Sequence, residues 1–173
     1  MIKFYEKCDP YYEFSNYYKA PQVIDGITYT CNEQYYQSMK FIHYPEYRSI
    51  IMEADSPQKI KSLGAQRPYF RGGRWKINKL TNHRFLNDVI NEYKDKVHVR
   101  SDWESVKDDI MYKGLKAKFT QNTKLRELLL NTNNVIIIEN SPKDYYWGIG
   151  KDGTGKNTLG NMLYRLRDEL RKK

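Results

Sequence analysis

Cysteine is scarce in this 173-residue chain, which contains Cys8 and Cys31 and no C-x-x-C pair. Two isolated thiols cannot build a disulfide framework, so we expect a protein of the reducing cytosol. Histidine is also rare, with three residues scattered at His43, His83 and His98. Because no histidine, cysteine and carboxylate cluster has the spacing of metal ligands, we expect neither a metal nor another cofactor.

Long hydrophobic runs are missing as well. The longest purely aliphatic run, Val135 to Ile138, is far shorter than the roughly 20 residues that a membrane-spanning helix needs. Residues 1–6 contain no apolar stretch of the kind found in secretory signals. With 39% hydrophobic and 29% charged residues the chain can bury a core, and its length suits one compact domain over residues 1–173. We therefore expect a cytoplasmic protein without a membrane partner.

Acidic residues are outnumbered, since 30 Lys and Arg against 21 Asp and Glu give a formal net charge of +9. The excess is concentrated between Arg67 and Arg100, where nine basic residues less three acidic ones leave +6. A net positive charge favours a polyanionic partner or an anionic substrate, although a solvated basic face would give the same composition. If the segment binds a nucleic-acid backbone, we expect contacts from Arg71, Arg74, Lys76 and Lys79.

Turn and capping signals predict an α+β domain that is mostly helical and has a small β-sheet. The Asp-Gly pair at 25–26 predicts a hairpin over 23–30, because both residues tolerate the backbone angles of a tight turn. A short buried strand is expected at 135–139. Helices are expected at 33–42, 45–53, 57–64, 83–93, 101–119, 123–130 and 157–171. Gly64 should end the third helix, and Ser101 with Glu104 forms a capping-box pattern for the fifth.

Three polar side chains share one face of the first predicted helix. Glu33, Gln37 and Lys40 are spaced i, i+4 and i+7, so a carboxylate, an amide and an amine could together line a pocket. An ordinary explanation is also available. Thr30 and Glu33 fit a capping box, and Lys40 could be a surface lysine near a helix C-terminus.

A glycine-rich loop at 140–156 precedes the last predicted helix. Its glycines allow a ligand to approach the backbone, and amides at the start of the helix could hold a phosphate. The sequence Gly150-x-x-x-x-Gly155-Lys156 imitates a P-loop, but Asn157 lacks the hydroxyl that would hold magnesium, so we reject that interpretation. A plain surface loop is the remaining alternative, and the embedded Trp147 is unusual for one.

Six segments in this order resemble the motifs of the NADAR (YbiA-like) family, over nearly the whole chain. They are Phe14-Ser15-Asn16, Glu33 through Phe41, Arg100 through Trp103, Lys118 through Asn122, Asp144 through Gly150, and Asn157 through Gly160. Two departures are visible. Gln34 stands where the family commonly has histidine, so no role is assigned to a histidine there. The stretch at 67–98 is longer than in compact members, which marks a basic insertion at about 67–100.

Membership of this family implies a YbiA-like fold and hydrolysis of ribosylamines, in which C1 of ribose is bonded to an exocyclic amine. Some members resemble hydrolases that remove ADP-ribose from guanine bases of DNA or RNA, and we expect this activity here. Others resemble N-glycosidases of phosphoribosylamino-pyrimidine intermediates of riboflavin biosynthesis, which is the alternative. A non-catalytic module that binds ADP-ribose or nucleic acid is a third possibility. Such a module would have no need of Glu33, Lys40 and Asp144 together.

The resemblance also implies roles for individual residues. Lys40 is the expected amine nucleophile, and Glu33 or Asp144 would manage the proton on the leaving amine and on the attacking water. Trp103 and Trp147 would hold the flat base or the ribose, although Trp103 is also typical of a core anchor. The other expected substrate-binding residues are Phe14, Ser15, Asn16, Gln37 and Arg100. Gly148, Asn157 and Gly160 are expected to bind the phosphate of the substrate.

Overall fold

A computed structural model describes residues 1–66 and 83–172 of the chain. The four basic residues predicted to contact a nucleic-acid backbone, Arg71, Arg74, Lys76 and Lys79, lie outside these ranges. Within them the β-strands are β1 (Ile2–Phe4), β2 (Lys19–Ile24), β3 (Ile27–Cys31) and β4 (Ile137–Glu139), and Tyr12–Phe14 is a short 3-10 helix. The helices are α1 (Asn32–Met39), α2 (Pro45–Glu53), α3 (Pro57–Ala65), α4 (His83–Tyr93), α5 (Trp103–Gln121), α6 (Thr123–Leu130) and α7 (Thr158–Arg171). A mostly helical α+β domain is confirmed.

The β-structure is divided between two strand pairs. β2 and β3 form the predicted antiparallel hairpin, and Asp25 and Gly26 at its turn have φ angles of 51° and 78°. β1 pairs with β4 in parallel, with Phe4 opposite Glu139. β1 was not predicted, because a three-residue strand has no measurable periodicity and its partner is distant in sequence.

Two helix ends differ from the sequence prediction for identifiable reasons. α5 begins at Trp103 and has no side-chain cap, because the Asp102 carboxylate is bound by the Arg100 guanidinium at 2.5 and 2.7 Å. The capping box at Ser101 is therefore wrong. α3 continues through Gly64 to Ala65 and ends where Gln66 adopts a φ of 51°. Gly64 is thus required for packing rather than for ending the helix.

α1 lies between the two clusters of buried side chains and packs against α2, α3 and α5. The larger cluster includes Phe4, Phe14, Leu115, Phe119 and Leu163, and the smaller one includes Tyr47, Ile51, Ile60, Leu63 and Ile90. Although α1 is surrounded, its residues 32–38 read Asn-Glu-Gln-Tyr-Tyr-Gln-Ser and all are buried. Buried polar groups destabilise a fold unless they are hydrogen-bonded, so α1 directs attention to a functional site.

In the part of the chain that the structure describes, no helix is both long enough and apolar enough to span a bilayer.

Candidate active site

Several buried polar residues of α1 hold the framework together. The Asn32 amide donates to Asn16 Oδ1 at 2.9 Å and accepts from Gln22 Nε2 at 3.1 Å. Gly114 of α5 lies so close that a Cβ on it would be 1.9 Å from Asn32 Oδ1. Asn32 therefore fastens α1 to the hairpin and to the Phe14–Asn16 segment.

Gln34 performs the task that the capping-box pattern assigned to Glu33. Its Oε1 accepts from the Thr30 amide at 2.8 Å and from the Thr30 hydroxyl at 3.1 Å. Its Nε2 donates to the Met52 carbonyl at 2.8 Å, which fastens α2 to α1. Gln34 is thus structural, and the Glu33 carboxylate is left for another purpose.

Glu33 and Gln37 form a buried pair on the face of α1 that looks toward α3. Gln37 Nε2 donates to Glu33 Oε1 at 2.7 Å. Gln37 Oε1 is buried and has no hydrogen-bond partner among the described residues. A Cβ on Gly64 would lie 2.0 Å from that oxygen, so glycine is needed for α3 to approach. An unsatisfied buried acceptor beside a carboxylate is an arrangement suited to a polar ligand.

Lys40 lies at the C-terminal end of α1, on the same face. Its Nζ donates to the Gly64 carbonyl at 3.4 Å and lies 5.6 Å from the Tyr36 ring centroid and 5.5 Å from that of Trp103. Burial lowers the pKa of Lys40 to about 8; Glu33 and Glu104 raise it and Lys61 lowers it. About a tenth of the amine is therefore neutral at pH 7, compared with less than about 0.1% for an ordinary lysine, and the neutral form is the nucleophile.

Aromatic rings form a wall beside this amine. Tyr36 packs edge-on against Trp103 at 4.9 Å and against Trp147 at 5.6 Å between ring centroids. Trp103 is 8% exposed and belongs to the larger core cluster, while Trp147 packs against that cluster and is only half-buried. Trp103 is therefore a core anchor whose ring also contacts the Lys40 amine.

Asp144 organises the turn that carries Trp147. Its Oδ1 accepts from the amides of Tyr146 at 2.9 Å and Trp147 at 2.7 Å. Its backbone carbonyl accepts from the Gly150 amide at 3.1 Å. The position of Trp147 thus depends directly on the Asp144 carboxylate.

Glu139 and Lys61 are charged residues of this region that the sequence analysis did not single out. Burial raises the pKa of Glu139 to about 8, Asp144 and Glu33 raise it too, and Lys61 lowers it. Burial, Glu33 and Glu139 also raise the pKa of Tyr17. A carboxylate that ends the apolar run Val-Ile-Ile-Ile is the signal that could have identified Glu139.

Asn157, Gly148 and Gly160 hold α7 and the glycine-rich loop close to β4. Asn157 Nδ2 donates to the Ile137 carbonyl and its Oδ1 accepts from the Glu139 amide, both at 2.9 Å. A Cβ on Gly160 would be 2.2 Å from the Ile137 carbonyl, and one on Gly148 would be 2.8 Å from that of Glu139.

The amides at the start of α7 are also engaged. Those of residues 157, 158 and 159 donate to the loop carbonyls of Gly148, Tyr146 and Trp147. A phosphate at this helix start would have to displace those carbonyls, and its binding there stays a prediction.

The Phe14–Asn16 segment is anchored in the core and positions α1. Phe14 is fully buried against Phe4 and Phe119. The Lys118 ammonium, also fully buried, donates to the carbonyls of Glu13 at 2.6 Å and Ser15 at 2.8 Å. The Asn16 carbonyl in turn accepts from the Glu33 amide at 3.0 Å, so the segment positions α1.

Arg100 is joined to Lys40 through its backbone, while its side chain has other partners. Its side chain pairs with Asp102 and lines a surface depression together with Met39 and Val106. Lys40, Glu33 and Asp144 do not line that depression. The Arg100 amide donates to the Lys40 carbonyl at 2.9 Å.

Within residues 1–66 and 83–172, no group of three His, Cys, Asp or Glu side chains is placed to hold a metal ion. The described site offers a depressed-pKa amine, a buried carboxylate, an unsatisfied amide oxygen and an aromatic wall. Such a set can form and hydrolyse an imine at a sugar carbon.

Comparison with known proteins identifies the family. The NADAR domain matches residues 3–171 of this chain. The N-glycosidase YbiA of Escherichia coli is 35% identical over 170 residues, which cover 98% of this chain and 88% of that protein. The NMR structure of E. coli YbiA superposes with a TM-score of 0.74 at 34% identity, covering 99% of this chain and 84% of that one. The chain belongs to the NADAR family, as its motifs predicted.

A plant protein is also similar. The chloroplastic riboflavin biosynthesis protein PYRR of Zea mays is 32% identical over 182 residues, which cover 98% of this chain but 25% of that longer protein.

Proposed function

We propose that this chain is an N-glycosidase, a hydrolase that cleaves the bond between C1 of a ribose and an exocyclic amine. The similar E. coli protein is named an N-glycosidase, and this chain covers most of its length. The observation that carries the proposal is Lys40, whose amine has a pKa of about 8 beside Glu33 and the aromatic wall.

The chemistry follows from the properties of a ribosylamine. Its ring opens to an imine between C1 and the exocyclic nitrogen, and the neutral Lys40 amine adds to C1. A proton moves to the exocyclic nitrogen, which leaves as a free amine and leaves C1 joined to Lys40 as a new imine. Water then adds to C1, the bond from C1 to Lys40 breaks, and the sugar and the lysine amine are released. Glu33 takes the proton from the attacking water.

The remaining site residues would orient the substrate. The half-buried Trp147 suits a flat base, and the free Gln37 Oε1 can accept from a ribose hydroxyl. Asp144 acts mainly through Trp147, whose turn it holds.

We further propose that the substrate is ADP-ribosylated guanine in DNA or RNA. The net charge of +9 and the basic segment at 67–100 support it, because a polyanion gains from such a segment and a small phosphosugar does not need it. A phosphoribosylamino-pyrimidine is the second candidate, which the similarity to the maize riboflavin biosynthesis protein favours. A cytoplasmic setting fits the two free thiols, Cys8 and Cys31.

The proposal is tested by offering both substrates to the enzyme, with and without borohydride. We expect hydrolysis and a borohydride-trapped mass adduct on Lys40. Lys40→Arg keeps the charge but cannot form the imine at a useful rate, so hydrolysis should fall by about 1,000-fold or more and the adduct should vanish. Lys59→Arg on α3 is the control and should behave as wild type. Near-normal hydrolysis by Lys40→Arg without an adduct would instead indicate direct attack of water.

The choice of polymer is tested separately. Neutralising Arg71, Arg74, Lys76 and Lys79 should weaken binding of the modified oligonucleotide and flatten its salt dependence. Turnover of a modified mononucleoside should stay nearly constant. Equal losses on both substrates would contradict a nucleic-acid contact.

A further inference from the structure

Glu139 is directed into the protein by the register of β4. Ile137, two residues earlier on the same face of the strand, is 1% exposed and belongs to the core. Both backbone groups of Glu139 are bound, since its amide donates to Asn157 Oδ1 at 2.9 Å and its carbonyl accepts from the Ile149 amide at 3.0 Å. The carboxyl group is therefore held on a rigid support rather than on a loop.

One oxygen of the Glu139 carboxyl lacks the partner that a buried anion requires. Its Oε2 is buried and has no hydrogen-bond partner among residues 1–66 and 83–172. An ionised carboxylate in that condition is costly, and the cost is removed when the group binds a proton.

The charged and titratable groups that face Glu139 come from every side of the site. They are Asp144 from the glycine-rich loop, Glu33 from α1, Lys61 from α3 and Tyr17 from the segment before β2. Two of them are carboxylates that repel a third negative charge, and one is an exposed lysine whose influence solvent weakens. Burial and like charge therefore act together, and they raise the pKa of Glu139 to about 8.

We propose that Glu139 is the proton-holding residue of this site, whose buried and unpartnered carboxyl oxygen keeps a proton at neutral pH and delivers it through Glu33 to the leaving amine. This inference rests on the proposed N-glycosidase function. The proton leaves the Glu139 carboxyl, passes over Glu33, and ends on the exocyclic nitrogen as the bond from C1 to that nitrogen breaks. The proton lost by the water that later adds to C1 returns to the carboxyl groups, so the cycle is balanced. Glu139 thus acts on the leaving amine through Glu33, as a positioning residue.

Glu139→Gln is the decisive variant, because it preserves size and removes the exchangeable acid. In wild type, hydrolysis should increase with pH as Lys40 loses its proton and decrease as Glu139 loses its own. Glu139→Gln removes the acid that gives the decreasing limb, so that limb should no longer be seen near pH 8, and kcat at pH 8 should fall about 100-fold. The increasing limb should not move, since Glu139 is not among the groups that shift the pKa of Lys40. Glu127→Gln, on the exposed face of α6, is the matched control and should retain the wild-type profile.

A carboxyl titration observed by NMR on protein labelled with 13C-glutamate provides an independent measurement. We expect one carboxyl group to titrate near pH 8 in wild type and to be absent in Glu139→Gln. Absence of that titration in wild type overturns the inference whatever the activity. A titrating Glu139 whose replacement leaves both limbs unmoved overturns the delivery of the proton. Wild-type protein that hydrolyses neither substrate overturns the proposed function itself, and the titration then still reports whether the carboxyl holds a proton.

Discussion

Substituting Lys61 changes the charge near the site without altering the side chains that surround the Lys40 amine. It lies on α3 and is exposed, yet its positive charge lowers the pKa of both Lys40 and Glu139. Lys61→Gln removes that charge, so both pKa values should increase and both limbs of the pH–rate profile should move to higher pH. Few other single substitutions would move the two limbs in the same direction.

The size of the shift can be worked out from the charges. Two unit charges about 6 Å apart in water-like surroundings interact by roughly 0.7 kcal/mol, which corresponds to about half a pH unit. With both pKa values at about 8 in wild type, the optimum of Lys61→Gln should lie near pH 8.5, roughly half a unit higher. At pH 7 the rate should fall about threefold, because the neutral fraction of Lys40 falls by that factor, and at pH 9.5 it should increase by a similar factor.

The assay is the pH dependence of kcat at saturating substrate, measured at 0.05 M and at 1 M salt. Since Lys61 is exposed, its effect should nearly disappear at 1 M salt, where the screening length is about 3 Å. Lys59→Gln is the control, because Lys59 is on the same helix but pairs with Asp55 at 2.9 Å. Limbs that stay in place at low salt, or that move in opposite directions, would refute the electrostatic account of the site.

Three further outcomes are expected. Gly64→Ala should lower the free energy of unfolding by about 2 kcal/mol and impair activity, because its Cβ would overlap Gln37; thermal melts against Ser62→Ala check this. Burial lowers the pKa of Lys118 to about 7, so the folded state binds fewer protons than the unfolded state above that pH, and stability should increase with pH between about 8 and 9. Above that range buried tyrosines such as Tyr17, whose pKa is raised, act in the opposite direction. Lys40 contributes in the same direction as Lys118, so Lys118→Met should remove at least half of the increase in pH-dependent melts. Activity should survive exhaustive chelation, and loss with EDTA that a divalent ion restores would contradict it.

Most helices could be predicted from the sequence because their boundaries have local causes. Pro45 and Pro57 sit at helix starts, and Ser56 Oγ accepts from the Lys59 amide as a cap. The hairpin followed from Asp25-Gly26 alone. Such signals act within a few residues, which is why they are readable without knowledge of the tertiary structure.

The site was only partly predictable, because much of it depends on contacts between distant segments. The spacing of Glu33, Gln37 and Lys40 placed them on one face, as the structure shows. Whether Lys40 was buried depended on Trp103 and Gly64, which no local pattern relates to it. Glu139 was missed because its raised pKa depends on burial and on charged groups from distant segments, namely Asp144, Lys61 and Glu33.

The parallel pairing of β1 with β4 has a consequence for the order in which the molecule is made. Synthesis proceeds from the N-terminal side, so α1 and Lys40 leave the ribosome long before β4, Trp147 and α7. The groups that surround the Lys40 amine, Tyr36, Gly64 and Trp103, are all synthesised before β4. Trp147, which packs against Tyr36, arrives only with the last part of the chain, together with the strand pairing that spans the molecule. The amine can therefore lose its hydration before the aromatic wall is complete, so the nucleophile and its substrate-binding wall are assembled at different stages of synthesis.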